Sequence, residues 1–126
     1  QLEVVERLAA SPGSKDWGRL GVMAQFRCEV EQLFEVPPEA FYPQPKVRSA
    51  VVRLTPHPEP PFPNVDPTSL GRVVTQAFSQ RRKTLRNNFK GTLEDSDFGT
   101  LAIDPSARAE TLSITDLVAI TVHLQG

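Results

Sequence analysis

The sequence predicts an α/β region followed by a small all-α region. Apolar residues recur at helical spacing near the start of the chain and again after residue 67, whereas residues 30–36 and 49–54 have the patterns of strands. Between these parts lies a segment with six prolines, which favour an extended, semi-rigid spacer. We therefore expect three regions, which are residues 1–55, a proline-rich linker at 56–67, and a helical region at 68–126.

Two helices open the first region. Leu2, Val5 and Leu8 repeat at helical spacing, and the pattern ends at a breaker in residues 11–13. A second helical pattern covers roughly residues 15–28. In this second pattern Leu20, Met23 and Ala24 lie along one stripe.

Two strands complete the first region. Residues 30–36 alternate between two faces, and residues 49–54 form a β-branched run typical of a largely buried strand. The four prolines within residues 37–45 remove backbone donors and stiffen the connection between the strands. We therefore expect the two strands to pair as neighbours.

The second region is predicted to be helical throughout. Asp66 before Pro67 is a signal for a helix start, and Ser113 with Asp116 matches a variant of the capping box. A short connecting helix is expected near residues 93–103. Since so short a helical region builds only a small core, we expect it to lean on the first region.

The composition excludes several classes of function. The only cysteine, Cys28, cannot form an internal disulfide, which favours a reducing compartment such as the cytosol. His57 and His123 are far apart, so no metal-ligand spacing is present, and neither a glycine-rich nucleotide loop nor a nucleophile elbow occurs. Gln1 already lies in a helical pattern, from which we expect a piece of a longer parent.

The strongest functional signal is a local concentration of positive charge. Residues 81–90 hold five of the fourteen lysines and arginines of a chain whose net charge is −1. If this segment is one helix, four cations lie on a single side, and these are Arg82, Lys83, Arg86 and Lys90. Thr84, Asn87 and Asn88 would add hydrogen-bond donors suited to phosphates. A solvated helix face explains the same charges about equally well.

A proline-bounded aromatic loop is the second candidate. Phe41 and Tyr42 stand among prolines and could form a rigid platform on which a base stacks, with Lys46 and Arg48 close by in sequence. The alternative is that Phe41 fills a gap in the core. Trp17, with its neighbours Lys15 and Arg19, could also contact RNA, although the start of a surface helix explains them as well.

Several motifs together resemble a known family. Residues 13–23 resemble the segment GSKxYGRLSVM, residues 41–49 the motif FxPxPKVxS, residues 77–87 the motif AFxQRRKTLRN, and residues 103–110 the signature IDPxxRAE. In this order they resemble the C-terminal half of the bacterial KsgA/RsmA-type ribosomal RNA adenine dimethyltransferases. Three positions depart from the family pattern, because Trp17 replaces a tyrosine, Gly21 a serine and Arg48 an aspartate.

The resemblance implies a fold, an activity and a set of site residues. Residues 1–55 would be the terminal strands and helices of a Rossmann-like methyltransferase sheet, and residues 68–126 a helical rRNA-binding domain. Family members transfer methyl groups from S-adenosylmethionine to two adjacent adenines near the 3′ end of small-subunit (16S) rRNA, in the cytoplasm and on the immature 30S subunit. Phe41 would stack on the target adenine. The implied RNA-binding residues are Lys46, Arg81, Arg82, Lys83, Arg86, Asn87 and Lys90.

The family's cofactor motifs precede the position that matches Gln1. We therefore expect this chain alone to hold no site for S-adenosylmethionine and to be inactive. Two strands taken from a larger sheet would expose an edge and an apolar face, so self-association is also expected. Two other interpretations stay open, which are a stand-alone nucleic-acid-binding helical module and a structural or protein-interaction domain.

Overall fold

A computed structural model describes residues 1–126. The chain forms an α/β fold with one two-stranded sheet and six α-helices. In chain order the elements are α1 (Leu2–Leu8), α2 (Arg19–Arg27), β1 (Cys28–Val36), a 3-10 turn (Pro38–Ala40), β2 (Ser49–Pro56), α3 (Pro67–Ala77), α4 (Leu85–Asn88), α5 (Asp95–Leu101), a second 3-10 turn (Ala109–Thr111) and α6 (Ile114–Gln125). None of the six helices combines the length and the hydropathy that a membrane-spanning segment requires.

The first two helices cross at close range. α1 buries Leu2 and Val5, as its helical spacing predicts. Where α2 passes α1, a Cβ atom added to Gly21 would lie 2.7 Å from the carbonyl oxygen of Arg7. A glycine at this position therefore permits the close approach of the two backbones.

The two strands pair directly, which confirms their predicted adjacency. β1 and β2 are antiparallel, and their register runs from Cys28 opposite Pro56 to Val36 opposite Ser49, with an irregularity between Gln32 and Phe34. The prediction that the second strand is largely buried is wrong, since most of β2 is exposed. Its β-branched run suits a pleated surface, but α1 and α2 cover only part of the sheet.

The helical region shares one core with the start of the chain. Trp17, Val22 and Phe26 belong to the same buried cluster as Leu70 and Leu117. The expectation that the helical region leans on the first region is therefore confirmed. The boundary at residues 56–67 stays a prediction.

The proline-rich segment packs against this core. The Phe62 ring stacks on the Phe26 ring, with centroids 6.3 Å apart and ring planes 12° from parallel. Val65 is buried in the core cluster. The segment is therefore held by side-chain contacts at its centre and near its end.

The predicted helix starts are present. Asp66 caps α3, because its carboxylate accepts hydrogen bonds from the backbone N–H (3.1 Å) and hydroxyl (2.8 Å) of Ser69. These bonds hold the pKa of Asp66 below its usual value, since they stabilise the charged form. Ser113 and Asp116 form the expected capping box at α6. The short connecting helix also exists, as α5.

Trp17 is a core residue and not a surface residue. The helix expected from residue 15 begins only at Arg19, so Trp17 lies in the preceding turn. Its side chain is fully buried, and the indole Nε1–H donates to the carbonyl oxygen of Leu112 at 2.7 Å. The idea that Trp17 contacts RNA is therefore wrong.

Truncation of this indole is expected to be costly. Trp17→Ala should lower the free energy of unfolding by about 3–5 kcal/mol, because it leaves a cavity and an unpaired carbonyl. The measurement is urea unfolding followed by circular dichroism. Tyr42→Ala is the control, since Tyr42 is fully exposed and its loss should change stability by less than about 0.5 kcal/mol. Equal effects of the two substitutions would contradict the assignment of Trp17 to the core.

Candidate nucleic-acid interface

Residues 81–90, which we call the basic segment, do not form one helix. Thr84 accepts a hydrogen bond from the backbone N–H of Asn87 at 3.3 Å and caps α4, which therefore starts only at Leu85. Arg82 and Lys83 lie in the turn before this cap. The single cationic helix face expected from the sequence is therefore wrong, because the capping threonine sits in the middle of the segment.

Three cations of the basic segment have no acidic partner. Arg82, Lys83 and Lys90 are exposed, and no carboxylate lies within 4 Å of their charged nitrogens. Arg86 differs, because its Nε lies 2.9 Å from Asp95 Oδ1 and its Nη2 lies 3.5 Å from Oδ2. The three unpaired side chains are free to meet an anion without first breaking an ion pair.

The two asparagines of the segment have opposite roles. Asn87 is exposed. Asn88 is buried, and its amide nitrogen donates to the carbonyl oxygens of Ala77 (2.9 Å) and Gln80 (3.0 Å). The expectation that Asn88 offers donors to a phosphate is therefore wrong, since these donors hold the turn that carries Arg82 and Lys83.

Arg81 ties the basic segment to the loop before α2. Its Nη2 donates to the carbonyl oxygens of Lys15 (3.0 Å) and Trp17 (2.8 Å), and the guanidinium carbon lies 5.3 Å from the centroid of the Phe78 ring. Glu110 lies 3.9 Å from the same nitrogen. Arg81 is still 44% exposed, so it both anchors the turn and adds charge to the surface.

The late signature segment, residues 103–110, also packs on the basic segment. The backbone N–H groups of Leu85 and Arg86 donate to the carbonyl oxygens of Ala107 (2.8 Å) and Pro105 (2.9 Å). Hydrogen bonds from Ser106, and to a smaller extent the charge of Arg86, hold the pKa of Asp104 below its usual value. Segments far apart in the sequence therefore build one surface.

The aromatic loop is exposed at the end of the sheet. Phe41 is 42% exposed and Tyr42 is fully exposed, so the alternative that Phe41 fills the core is wrong. Lys46 is also exposed. Arg48 pairs with Glu35 at 2.6 Å, and its carbonyl oxygen accepts from the N–H of Leu2, which places the loop beside the start of α1.

The aromatic loop and the basic segment are separate surfaces. No hydrogen bond or ion pair joins them. The loop adjoins the N-terminal end of α1, whereas Arg81 contacts the residues that follow its C-terminal end. The seven residues of α1 alone span about 10 Å, so a single phosphate group is too small to contact both surfaces.

The structure adds a cationic cleft that the sequence pattern did not indicate. A cavity of about 370 Å³ is lined by four cations, which are Arg7, Lys15, Arg19 and Arg81, and we call it the four-cation cleft. Arg7 was not a candidate, since no local pattern links it to the other three. A neighbouring cleft of about 620 Å³ shares Arg19 and adds Arg72. No group of three or more His, Cys, Asp or Glu side chains could hold a metal ion.

Comparison with known proteins identifies relatives along the whole chain. A sequence model of the family described as ribosomal RNA adenine dimethylase matches residues 1–125. The chain is 57% identical over 124 residues to the ribosomal RNA small subunit methyltransferase A of Chromohalobacter salexigens. This alignment covers 98% of the present chain and 44% of the relative. It is 58% identical over 121 residues to the protein of the same name from Nitrosococcus oceani, with coverages of 96% and 46%. The chain thus spans about half the length of the curated relatives it matches.

Solved structures share the fold at lower identity. A dimethyladenosine transferase from Plasmodium falciparum superposes with a TM-score of 0.79 at 21% identity, covering 99% of this chain and 55% of that one. The 23S rRNA methyltransferase ErmE superposes with a TM-score of 0.69, also at 21% identity, covering 100% and 52%. The arrangement of helices and strands described above therefore recurs in proteins of distant sequence.

The anchoring role of Arg81 can be separated from its charge. Arg81→Ala should lower the free energy of unfolding by about 1–2 kcal/mol, because two charge-assisted hydrogen bonds to carbonyl oxygens are lost at a half-exposed site. The control Arg82→Ala removes the same charge without breaking a hydrogen bond and should change stability by less than about 0.5 kcal/mol. Urea unfolding of both variants is the measurement. A larger loss for Arg82→Ala would contradict this assignment.

Proposed function

This chain belongs to the ribosomal RNA adenine dimethylase family, and we propose that it is the RNA-holding part of an rRNA adenine dimethyltransferase. The complete protein would transfer methyl groups from S-adenosylmethionine to the N6 amines of two adjacent adenines near the 3′ end of small-subunit rRNA. The complete protein would bind the immature 30S subunit and would act in the cytoplasm. The alternative of a stand-alone helical module without catalysis is not favoured, given the family.

The unpaired cations of the basic segment carry this proposal. Arg82, Lys83 and Lys90 are exposed on a chain whose net charge is only −1. These concentrated positive charges would attract the phosphate backbone of an RNA, and binding would release counterions from the RNA. The segment therefore fits a polyanion better than it fits a neutral or cationic partner.

The remaining proposed RNA contacts differ in what they would cost. Arg86 would have to exchange Asp95 for a phosphate, which offsets part of the gain. Arg81 would contribute charge while its hydrogen bonds hold the turn. Asn87 and Lys46 are exposed and would donate to phosphate or sugar oxygens without breaking a contact.

Phe41 is proposed to stack on the target adenine. Its ring is partly exposed and lies in a loop that follows the 3-10 turn Pro38–Ala40, whose first carbonyl accepts from the N–H of Phe41 at 3.2 Å. An adenine turned out of the RNA could lie on such a ring, since every base offers a π-face. Phe41 would then orient the base, while the methyl donor is held elsewhere.

The side chains of residues 1–126 do not fit S-adenosylmethionine. The four-cation cleft would repel a sulfonium cation. The clefts around Phe26 and around Thr75 contain no carboxylate for a ribose. The two remaining clefts, one beside Glu3 and Glu6 and one between α3 and α6, measure only about 260 Å³ and 190 Å³, both below the size of about 300 Å³ at which ligand pockets begin. We propose that the cofactor is held outside these residues.

The uncovered sheet supports a finer proposal for the fold. Phe34 is 58% exposed and Leu54 50% exposed, and both strands of the two-stranded sheet are edge strands. We propose that β1 and β2 are terminal strands of a Rossmann-like methyltransferase sheet whose other strands pair along an edge that is free here, and that residues 68–126 form the helical rRNA-binding domain. Taken alone, the chain would then self-associate through the unpaired strand edges and the exposed apolar side chains of the sheet.

Loss of two unpaired cations should weaken RNA binding. Arg82→Gln combined with Lys83→Gln, in the natural full-length protein, is expected to lower affinity for unmethylated small ribosomal subunits at least about tenfold, since each contact between a charged donor and a phosphate contributes over a kcal/mol. The slope of log affinity against log salt should fall by about one per lost phosphate contact. Filter binding between about 50 and 200 mM salt measures both quantities.

A pair of substitutions of equal charge serves as the control. Arg27→Gln with Arg53→Gln removes two cations, one at the last turn of α2 and one from the exposed Arg53–Glu31 pair on the sheet. Its affinity and salt slope should match those of the unchanged protein. The proposal fails if the double substitution in the basic segment has no larger effect than this control pair.

The absence of a cofactor site among these residues is tested separately. Isothermal titration of the 126-residue chain with S-adenosylmethionine should give no binding heat, because none of its clefts suits the ligand. The natural full-length protein, titrated under the same conditions, is the positive control. Micromolar binding by the chain alone would refute the placement of the cofactor outside it.

A further inference from the structure

We infer that the four-cation cleft binds a backbone phosphate of the RNA other than the phosphates that Arg82, Lys83 and Lys90 would contact. This inference rests on the proposed function, because it names a second contact for the same substrate. The cleft lies between the end of α1, the loop before α2 and the side chain of Arg81. Its volume of about 370 Å³ falls within the range of about 300–1,000 Å³ that is usual for ligand pockets.

Two cations of the cleft lack acidic partners. Arg7 pairs with Glu3 at 2.6 Å, and Arg81 lies 3.9 Å from Glu110. Lys15 and Arg19 form no ion pair. These two side chains are therefore the ones that an incoming phosphate would contact.

Arg19 is held in place for such a contact. Its Nε donates to the hydroxyl of Thr75 at 3.0 Å, and its two terminal nitrogens make no hydrogen bond. A guanidinium fixed through one nitrogen presents the others in a fork that matches phosphate oxygens. The bond to Thr75 thus reduces the side-chain entropy that binding would otherwise cost.

The start of α2 adds donors to the same cleft. Gly18 gives no side-chain cap to this nine-residue helix, and the backbone N–H groups of Arg19, Leu20 and Gly21 have no acceptor. A Cβ atom at Gly18 would lie only 3.0 Å from Nη1 of Arg81, so the glycine lets the helix start and the guanidinium lie close together. The positive end of the helix dipole therefore reinforces the side-chain charges.

One carboxylate lines the cleft and opposes anion binding. Asp16 has no ion-pair partner and stands among the four cations. With Glu3 and Glu110 also counted, three carboxylates face four cations, so the local excess is modest. The open donors of Arg19 and of the helix start, and not net charge alone, therefore support the site.

The neighbouring cleft favours a polymer over a free phosphate ion. It shares Arg19, adds Arg72, and continues along α3 past the hydroxyls of Thr68 and Thr75. A free ion would need only one of these two clefts. A chain of phosphodiesters would use both, since its phosphates recur along the strand.

The test removes the two unpaired cations from the natural full-length protein. Lys15→Gln with Arg19→Gln should lower affinity for unmethylated small ribosomal subunits about tenfold and reduce the salt slope by about one, as expected for one lost phosphate contact. Arg27→Gln with Arg53→Gln is again the control for charge. Thr75→Val removes the hydrogen bond to Arg19 but keeps both cations, and it should weaken binding less than the double substitution does.

Two further measurements separate the possible outcomes. Thermal unfolding checks that the variants fold, and Lys15→Gln alone replaces the double variant if they do not, because the Lys15 side chain makes no hydrogen bond. Inorganic phosphate is titrated as a competitor of RNA. Millimolar phosphate should displace RNA from the unchanged protein more than from the double variant.

The outcomes distinguish this inference from the proposed function. Unchanged affinity of the Lys15 and Arg19 variant, together with a loss for the Arg82 and Lys83 variant, overturns the inference and leaves the proposed function standing. No loss for either variant overturns the proposed function itself. A cleft that binds inorganic phosphate while its variant keeps full RNA affinity is a site for free anions, and this result also overturns the inference.

Discussion

The buried hydrogen bond between Trp17 and Leu112 is the constraint on which the rest of the structure depends. It joins residues 95 positions apart and draws the loop before α2 against the segment before α6. Once the indole occupies this position, the backbone carbonyls of Lys15 and Trp17 face Arg81, which donates to both of them. The orientation of the basic segment therefore follows from the hydrogen bond that the buried Trp17 indole makes to Leu112.

Local patterns in the sequence predicted the helices and strands well. Helical spacing identified α1 and α3, and short capping signals placed the starts of α3 and α6, since each depends on residues within a few positions. The exposure of β2 could not be predicted in this way. A β-branched run has the same composition whether or not another layer covers it, so burial depends on partners elsewhere in the protein.

The candidate site was predicted only in part, because its geometry depends on long-range contacts. The sequence showed the positive charge of the basic segment. However, Thr84 caps α4 in the middle of this segment, so Arg82 and Lys83 do not share a helix face with Arg86 and Lys90. Asn88 and Trp17 looked like surface groups and are buried. Arg7, Lys15, Arg19 and Arg81 meet in one cleft although 74 positions separate the first from the last, and no periodicity in the sequence records such a meeting.

The hydrogen bonds between α4 and the late signature segment are made by main-chain groups alone. Leu85 and Arg86 donate to the carbonyl oxygens of Ala107 and Pro105, so no side chain of residues 103–110 takes part in these two hydrogen bonds. Arg108, whose side chain is exposed and makes no ion pair, can therefore change identity while both hydrogen bonds remain. Substitutions at such an exposed position could therefore be used to change what this surface of the protein recognises.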